Sequence, residues 1–148
     1  MSIWWSLHLR REAASVPLAR RLLLGTMETA GVDPDISFDL SVALSEACAN
    51  AVEHGGGGDL PDETAAAYHV TAYLDGDRCR IEVTDSGPGF PPATEPRRRP
   101  SLAEHGRGLD LIAELADHVR FRNRPGRGAV VSFDKMLKWR DGALLKVS

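Results

Sequence analysis

The chain opens on an alternation. Ile3, Trp5, Leu7 and Leu9 interleave with Trp4, Ser6, His8 and Arg10, the period of a half-buried strand. From about Ala14 to Ala30 the spacing becomes helical, with Val16, Ala19, Leu23 and Met27 along one face. Pro17 falls early, where a first turn tolerates it, and Gly31 marks the stop. A second helix is predicted from Pro34 or Asp35 to His54, with Asp33 as its N-cap and the run Gly55-Gly56-Gly57-Gly58 beyond it. A hairpin follows: Ala67–Leu74, a turn at Asp75-Gly76-Asp77, then Arg78–Thr84, where Cys79, Ile81 and Val83 share one face. Residues 85–105 are rich in Pro, Gly and Arg and read as loop. A helix from about Gly108 to Ala116 comes next, then strands near Val119–Asn123 and Ala129–Phe133 joined at Pro125-Gly126.

The order β-α-α-β-β-loop-α-β-β predicts an α+β fold. Its form is a two-layer α/β sandwich, a mostly antiparallel sheet with helices on one face. Residues 1–134 are read as one domain and 135–148 as a C-terminal extension without an internal signal. At 148 residues the chain can bury a real core. A net charge of −3 gives no basic field for nucleic acid, and the Arg97-Arg98-Arg99 run reads as a solvated loop or a phosphate lid. Cys48 and Cys79 make neither a metal cluster nor a disulfide framework, which fits a reducing cytoplasm. No apolar run approaches membrane-spanning length, and the N-terminus has no basic segment or cleavage site of a signal peptide.

Three segments carry candidate chemistry. On the second helix, Glu46, Asn50 and His54 are spaced four apart, so they project together beside the apolar stripe of Leu40, Leu44, Ala47 and Ala51. A glutamate at the edge of a core can orient or deprotonate a hydroxyl or water. An asparagine oxygen is a suitable hard ligand for Mg²⁺. Taken alone, the same stripe is also what a solvated helix face looks like. Cys48 lies off the stripe and reads as core packing. Asp85-Ser86-Gly87-Pro88-Gly89 directly follows a strand. Its carboxylate can accept a hydrogen bond from an exocyclic amine such as that of adenine, and Gly87 and Gly89 let backbone approach a flat ligand. An ordinary turn has the same composition. Gly106-Arg107-Gly108-Leu109 opens the third helix, whose free N–H groups and dipole suit phosphate, although a plain helix cap would read alike. The chain has no Gly-Lys pair, so a Walker-type phosphate loop is excluded.

In this order and spacing the three segments resemble the N, G1 and G2 boxes of GHKL-type ATPases. More narrowly, Leu44-Ser45-Glu46-Ala47 through Asn50-Ala51-Val52-Glu53-His54-Gly55 resembles the N box of bacterial anti-sigma serine kinases of stress and sporulation control. The similarity runs from the first strand to about Phe133. It implies Glu46 as catalytic base and Asn50 as Mg²⁺ ligand. It implies Asp85 on the adenine amine, with Gly87 and Gly89 shaping the base pocket. Gly106, Arg107, Gly108 and Leu109 would cradle the phosphates of ATP or ADP beneath a lid formed by 91–105, with His54 near phosphate. The implied activity is transfer of the ATP γ-phosphate to a serine of a small anti-anti-sigma (STAS-type) partner, and sequestration of a sigma factor when that partner is lacking. The first strand and helix of such proteins can form a homodimer surface, which makes Trp4 the candidate contact.

Three departures separate the chain from that pattern. Glu104 stands where the family has an arginine before the G2 glycines, with Arg107 inside the box. Gly128-Ala129-Val130 replaces a threonine-bearing final strand, and the tail beyond Phe133 is longer than usual. Two function classes therefore enter the structural comparison. One is an ATP-dependent serine kinase that also binds a sigma factor, favoured by the intact Glu46. The other is a catalytically weak or inactive nucleotide-binding module that sets partner affinity, favoured by the altered lid and last strand. A histidine-kinase catalytic domain fits less well, because no dimerisation helix with an acceptor histidine is present.

Overall fold

The computed structural model describes residues 2–54, 67–85, 107–124 and 128–141. In chain order these form β1 (Ser2–Arg10), α1 (Ser15–Ala30), α2 (Pro34–His54), β2 (Ala67–Asp75), β3 (Arg78–Asp85), α3 (Arg107–Leu115), β4 (His118–Arg124) and β5 (Gly128–Met136). The strands make one five-stranded sheet in the order β1-β2-β3-β5-β4, and every neighbouring pair is antiparallel. The expected two-layer architecture is present. Asp85, predicted to open the 85–105 loop, instead ends β3, and the expectations at Gly55–Gly58, at Pro125-Gly126 and in the rest of that loop lie outside the described residues.

Local chemistry explains the boundaries. Gly31 adopts the left-handed conformation at φ 88°, and its N–H bonds Met27 O and Glu28 O. The Val32 N–H reaches back to Met27 O at 3.0 Å, which completes a Schellman stop that a residue with a Cβ would strain. Only Gly31 to Asp33 separate α1 from α2. Asp33 caps α2: its Oδ1 accepts the Asp35 N–H at 2.8 Å, while Pro34 occupies the first helical position, where no N–H is needed.

The sheet buries one face. Leu9 of β1, Tyr68, Val70, Ala72 and Leu74 of β2, Cys79, Ile81 and Val83 of β3, and Val131 and Phe133 of β5 all point to the core. Against them pack Ala19, Leu23 and Met27 of α1, Leu40, Ala43, Leu44, Ala47, Cys48 and Ala51 of α2, and Leu109 and Ile112 of α3. The Trp5 indole closes this layer by donating to Thr26 Oγ1 at 3.1 Å. α2 is central, touching α1, α3, β2 and β3, while α1 leans on β1 and α3 on β4. The opposite face carries Trp4, Tyr73, Arg80, His118 and Asp134 in one register row.

β5 continues through Lys135 and Met136, past residue 134, and Leu137 is buried. The chain then crosses to the α1–α2 turn. The Asp33 N–H donates to Lys138 O at 2.7 Å, the Arg140 N–H to Gly31 O at 2.8 Å, and Val32 bridges Trp139.

Truncating Leu23, which is fully buried, should lower stability by about 2–5 kcal/mol, whereas Leu22→Ala on the outer side of the same helix should change it by less than about 0.5 kcal/mol. Urea unfolding of Leu23→Ala and Leu22→Ala measures the contrast.

Candidate functional site

The helical spacing of Glu46, Asn50 and His54 holds in the structure, since all three lie on the continuous α2. Their environments differ. Asn50 is 8% exposed, sunk beside Ala51 and Ala47, whereas Glu46 and His54 are half-buried. Glu46 also lines the end of a groove of about 750 Å³ between α1 and α2, together with Arg20, Ser41 and Ser45. His54 Nε2 lies 3.7 Å from the exposed carboxylate of Glu53.

Asp85 ends β3 and is 9% exposed. The ladder between β3 and β5 closes at Thr84 opposite Val130. One residue further, the Asp85 carboxylate takes over the next rung: its Oδ1 accepts the Ala129 N–H at 3.3 Å. Gly128 precedes that donor at φ 114°, a conformation that L side chains rarely adopt, so the entry into β5 depends on glycine there. The last strand thus meets Asp85 through its backbone, at Ala129 within the Gly128-Ala129-Val130 segment.

Leu109 is fully buried in the first turns of α3, where it fastens the helix to the core. Arg107 and Gly108 are its first two residues. Gly87, Gly89, Gly106, the 91–105 segment, the Arg97–Arg99 run and Glu104 lie outside the described residues. Of the elements that carry the described candidates, α2 packs on both β3 and α3, so the three share one core.

Two features escaped the sequence. The first is a buried polar chain behind the site. The Tyr68 hydroxyl bonds Ser15 Oγ at 2.5 Å, Ser15 Oγ donates to Glu12 O at 2.7 Å, and Tyr68 also hydrogen-bonds Cys48 of α2. Tyr68 lies directly opposite Asp85 in the β2–β3 register. The second is Arg11, whose Nε and Nη2 donate to Ala51 O at 3.2 Å and Val52 O at 2.7 Å, in the last turn of α2. Nothing in the tandem Arg10-Arg11 singles out one arginine for a helix end; only the topology does.

Burial pushes both thiols up, to about 12, in Cys48 against a partial offset by Tyr68 and in Cys79 with the Asp134 charge adding to it. A thiol held in its neutral form is a poor nucleophile, so Cys48 is a packing residue. Among the described residues no group of three or more His, Cys, Asp or Glu side chains is arranged to hold a metal, and no helix is long and apolar enough to cross a membrane.

Residues 9–135 match the histidine kinase-like ATPase domain family. The serine-protein kinase RsbW of Bacillus subtilis (strain 168) is 33% identical over 120 residues, spanning 75% of this chain and 72% of that protein. An anti-sigma F factor of Thermoanaerobacter sp. (strain X514) is 29% identical over 115 residues, 73% of this chain and 77% of its own length. The crystal structure of the RsbU and RsbW domains of a Mycobacterium tuberculosis protein superposes with a TM-score of 0.65 at 23% identity. It covers 90% of this chain, which spans only 32% of that longer chain.

The two buried thiols generate a pH prediction. Each has a folded value raised above the ordinary 9.0, so its contribution to stability is complete below pH 9.0 and is lost as pH rises toward about 12, where unfolded thiols ionise and buried ones do not. Native protein should leave both thiols unlabelled by an aromatic disulfide reagent at pH 8.0, and urea midpoints should fall as pH is raised above 9.0. Rapid labelling of either thiol in folded protein would contradict it.

Proposed function

The chain belongs to the histidine kinase-like ATPase domain family, and from that premise we propose that it is an ATP-dependent protein-serine kinase and anti-sigma factor. It transfers the γ-phosphate to a serine of an anti-anti-sigma (STAS-type) protein and holds a sigma factor when that partner is lacking. The observation that supports this reading is the packing of α2, which carries Glu46 and Asn50, against both β3, which ends in Asp85, and α3, which opens with Arg107 and Gly108.

In this reading Asp85 is the base reader. Its Oδ1 is engaged by the Ala129 N–H, and an ionised carboxylate has further lone pairs with which to accept an adenine amine. Gly87 and Gly89 shape the base pocket, and Gly106, Arg107, Gly108 and Leu109 present backbone N–H groups to phosphate at the start of α3. Glu46, half-buried on α2, accepts the proton of the attacking serine hydroxyl. His54 lies one turn beyond Asn50, toward the phosphates.

The donor chemistry fits Mg²⁺: Asn50 offers a hard amide oxygen at a buried position, and phosphate oxygens and waters complete such a shell. When bound, the ion would neutralise charge on the phosphates. The chain works in the cytoplasm, where a reducing environment keeps Cys48 and Cys79 as the free thiols they are. It pairs as a homodimer through β1 and α1, supported by Trp4 at 66% exposed and Leu18 at 54% exposed on those elements.

Calorimetry with Mg²⁺ and ATP, followed by transfer from γ-labelled ATP to a purified STAS-type anti-anti-sigma protein, tests the reading. Asp85→Asn should weaken ATP binding by at least about tenfold, the scale of a lost charge-assisted hydrogen bond. Glu46→Gln should keep ATP binding while slowing transfer by about 10²–10⁴-fold. Wild-type binding without any transfer would instead favour the nucleotide-binding regulatory module, and absence of binding would overturn both. For the homodimer, light scattering should give about twice 16.1 kDa for the wild type, and a shift to the monomer mass for Trp4→Ala. A wild-type monomer would remove that claim.

A further inference from the structure

Helix α2 ends at His54, so the carbonyls of Ala51 and Val52 belong to the last four, which have no donor inside the helix. Arg11 supplies donors to both. It comes from the short connection between β1 and α1, and its guanidinium spans two consecutive carbonyls with Nε at 3.2 Å and Nη2 at 2.7 Å. A planar fork can hold two acceptors in fixed relation, which a lysine ammonium on its flexible stem does not. The positive charge also meets the negative end of the helix dipole. Asn50 immediately precedes the first of the two gripped residues, and His54 follows the second within the same turn.

The anchor at the other end of this clamp is rigid. Arg10, next to Arg11, pairs with Ala67 at the end of the β1–β2 ladder. The Glu12 N–H bonds Arg10 O at 2.8 Å, and Glu12 O accepts both the Ser15 N–H and Ser15 Oγ. Ser15 joins the Tyr68 hydroxyl in the core. Arg11 therefore leaves a stretch of backbone fixed on both sides and reaches across to α2. Mutating a hydrogen-bonded support behind a metal ligand typically costs about 10–100-fold in metal affinity or activity.

We propose that Arg11 is a positioning residue for the metal–phosphate side of the nucleotide site: by clamping Ala51 O and Val52 O to the β1–α1 turn, it fixes the axial position and rotation of the α2 turn that carries Asn50. The inference rests on the assignment of Asn50 as the Mg²⁺ ligand. It separates two halves of the site. The base half, at Asp85, is held by β3 and β5 and does not depend on the clamp. The metal half, at Asn50, does.

The test compares the wild type with Arg11→Gln, which removes the charge and the fork. ATP affinity is measured by calorimetry with Mg²⁺ and with a chelator in its place. Hydrogen exchange is followed in nucleotide-free protein across residues 37–54. The expected result is an approximately tenfold smaller Mg²⁺-dependent gain in ATP affinity, with chelator-only affinity unchanged. Exchange should quicken in the last turn of α2 and stay constant over Ser37–Leu44. An undiminished Mg²⁺ gain, or an equal loss with and without Mg²⁺, overturns the proposal and leaves Arg11 as a helix cap only. Arg11→Lys keeps the charge without the fork and carries the same comparison should Arg11→Gln not fold. If the wild type binds ATP with no Mg²⁺ gain, the Asn50 assignment and this proposal fall while nucleotide binding stands. If the wild type binds no ATP, the functional reading itself falls with them.

Discussion

One helix has to satisfy two demands at once, and the rest of the molecule is arranged around it. α2 buries Leu40, Ala43, Leu44, Ala47, Cys48 and Ala51 between the sheet and its two neighbouring helices, and the same helix presents Glu46, Asn50 and His54 at the margin of that core. The small residues at 43, 47, 48 and 51 let its backbone approach the β2 and β3 strands it packs on. A helix packed this tightly cannot turn or slide without opening voids, because protein interiors are as dense as organic crystals. The polar stripe therefore takes its overall placement from the apolar one, while the last turn is held in addition by Arg11. The Tyr68–Cys48 hydrogen bond adds a directional constraint to a contact that dispersion alone would leave less specific.

The same economy governs the helix ends. Each of the three described helices has carbonyls in its last turn held by a cationic side chain from a distant part of the chain. Arg140 donates to Glu28 O of α1 at 2.8 Å, Arg11 to Ala51 O and Val52 O of α2, and Lys135 to Leu115 O of α3 at 2.7 Å. Each bond satisfies a group left without an intrahelical donor and places positive charge at the negative end of a dipole. These cations also act as ties: Arg140 joins the end of the described chain to α1, and Lys135 joins β5 to α3. In a two-layer fold the sheet fixes the strands through a continuous ladder, while helices are held mainly by non-directional contact. Directional bonds at the helix ends supply orientation that packing does not.

The sequence made most of the elements legible, because their information is periodic. Alternation marked β1 and the β2–β3 hairpin, the apolar stripe and Asp33 marked α2, and Gly31 marked the end of α1. The placement of Cys48 off the polar stripe was enough to assign it to the core, where it lies fully buried. What remained hidden rests on backbone groups or on topology. Every non-proline residue carries the same N–H and C=O, so no pattern announces that Lys138 O and Arg140 N hold the α1–α2 turn, and the segment after Phe133 looked empty. The insertion of β5 between β3 and β4 is likewise a property of pairing, since two antiparallel partners with similar alternation can be ordered in more than one way.

That insertion bears directly on the departures from the kinase pattern. Because β5 lies beside β3, the residue after the last ladder pair faces Asp85, and what β5 offers there is the Ala129 N–H. A main-chain donor at this place is independent of the side chain at 129, so the loss of a threonine does not strip Asp85 of a partner within the sheet. It does shift the burden to conformation. The bond requires the chain to enter β5 through the left-handed geometry of Gly128, where a side chain would be strained. The bond thus makes no demand on the side chain at 129 and a conformational demand at the residue before it. The unusual Gly128-Ala129-Val130 sequence is then consistent with an intact Asp85 environment, and it cannot by itself be counted as a sign that the site has decayed.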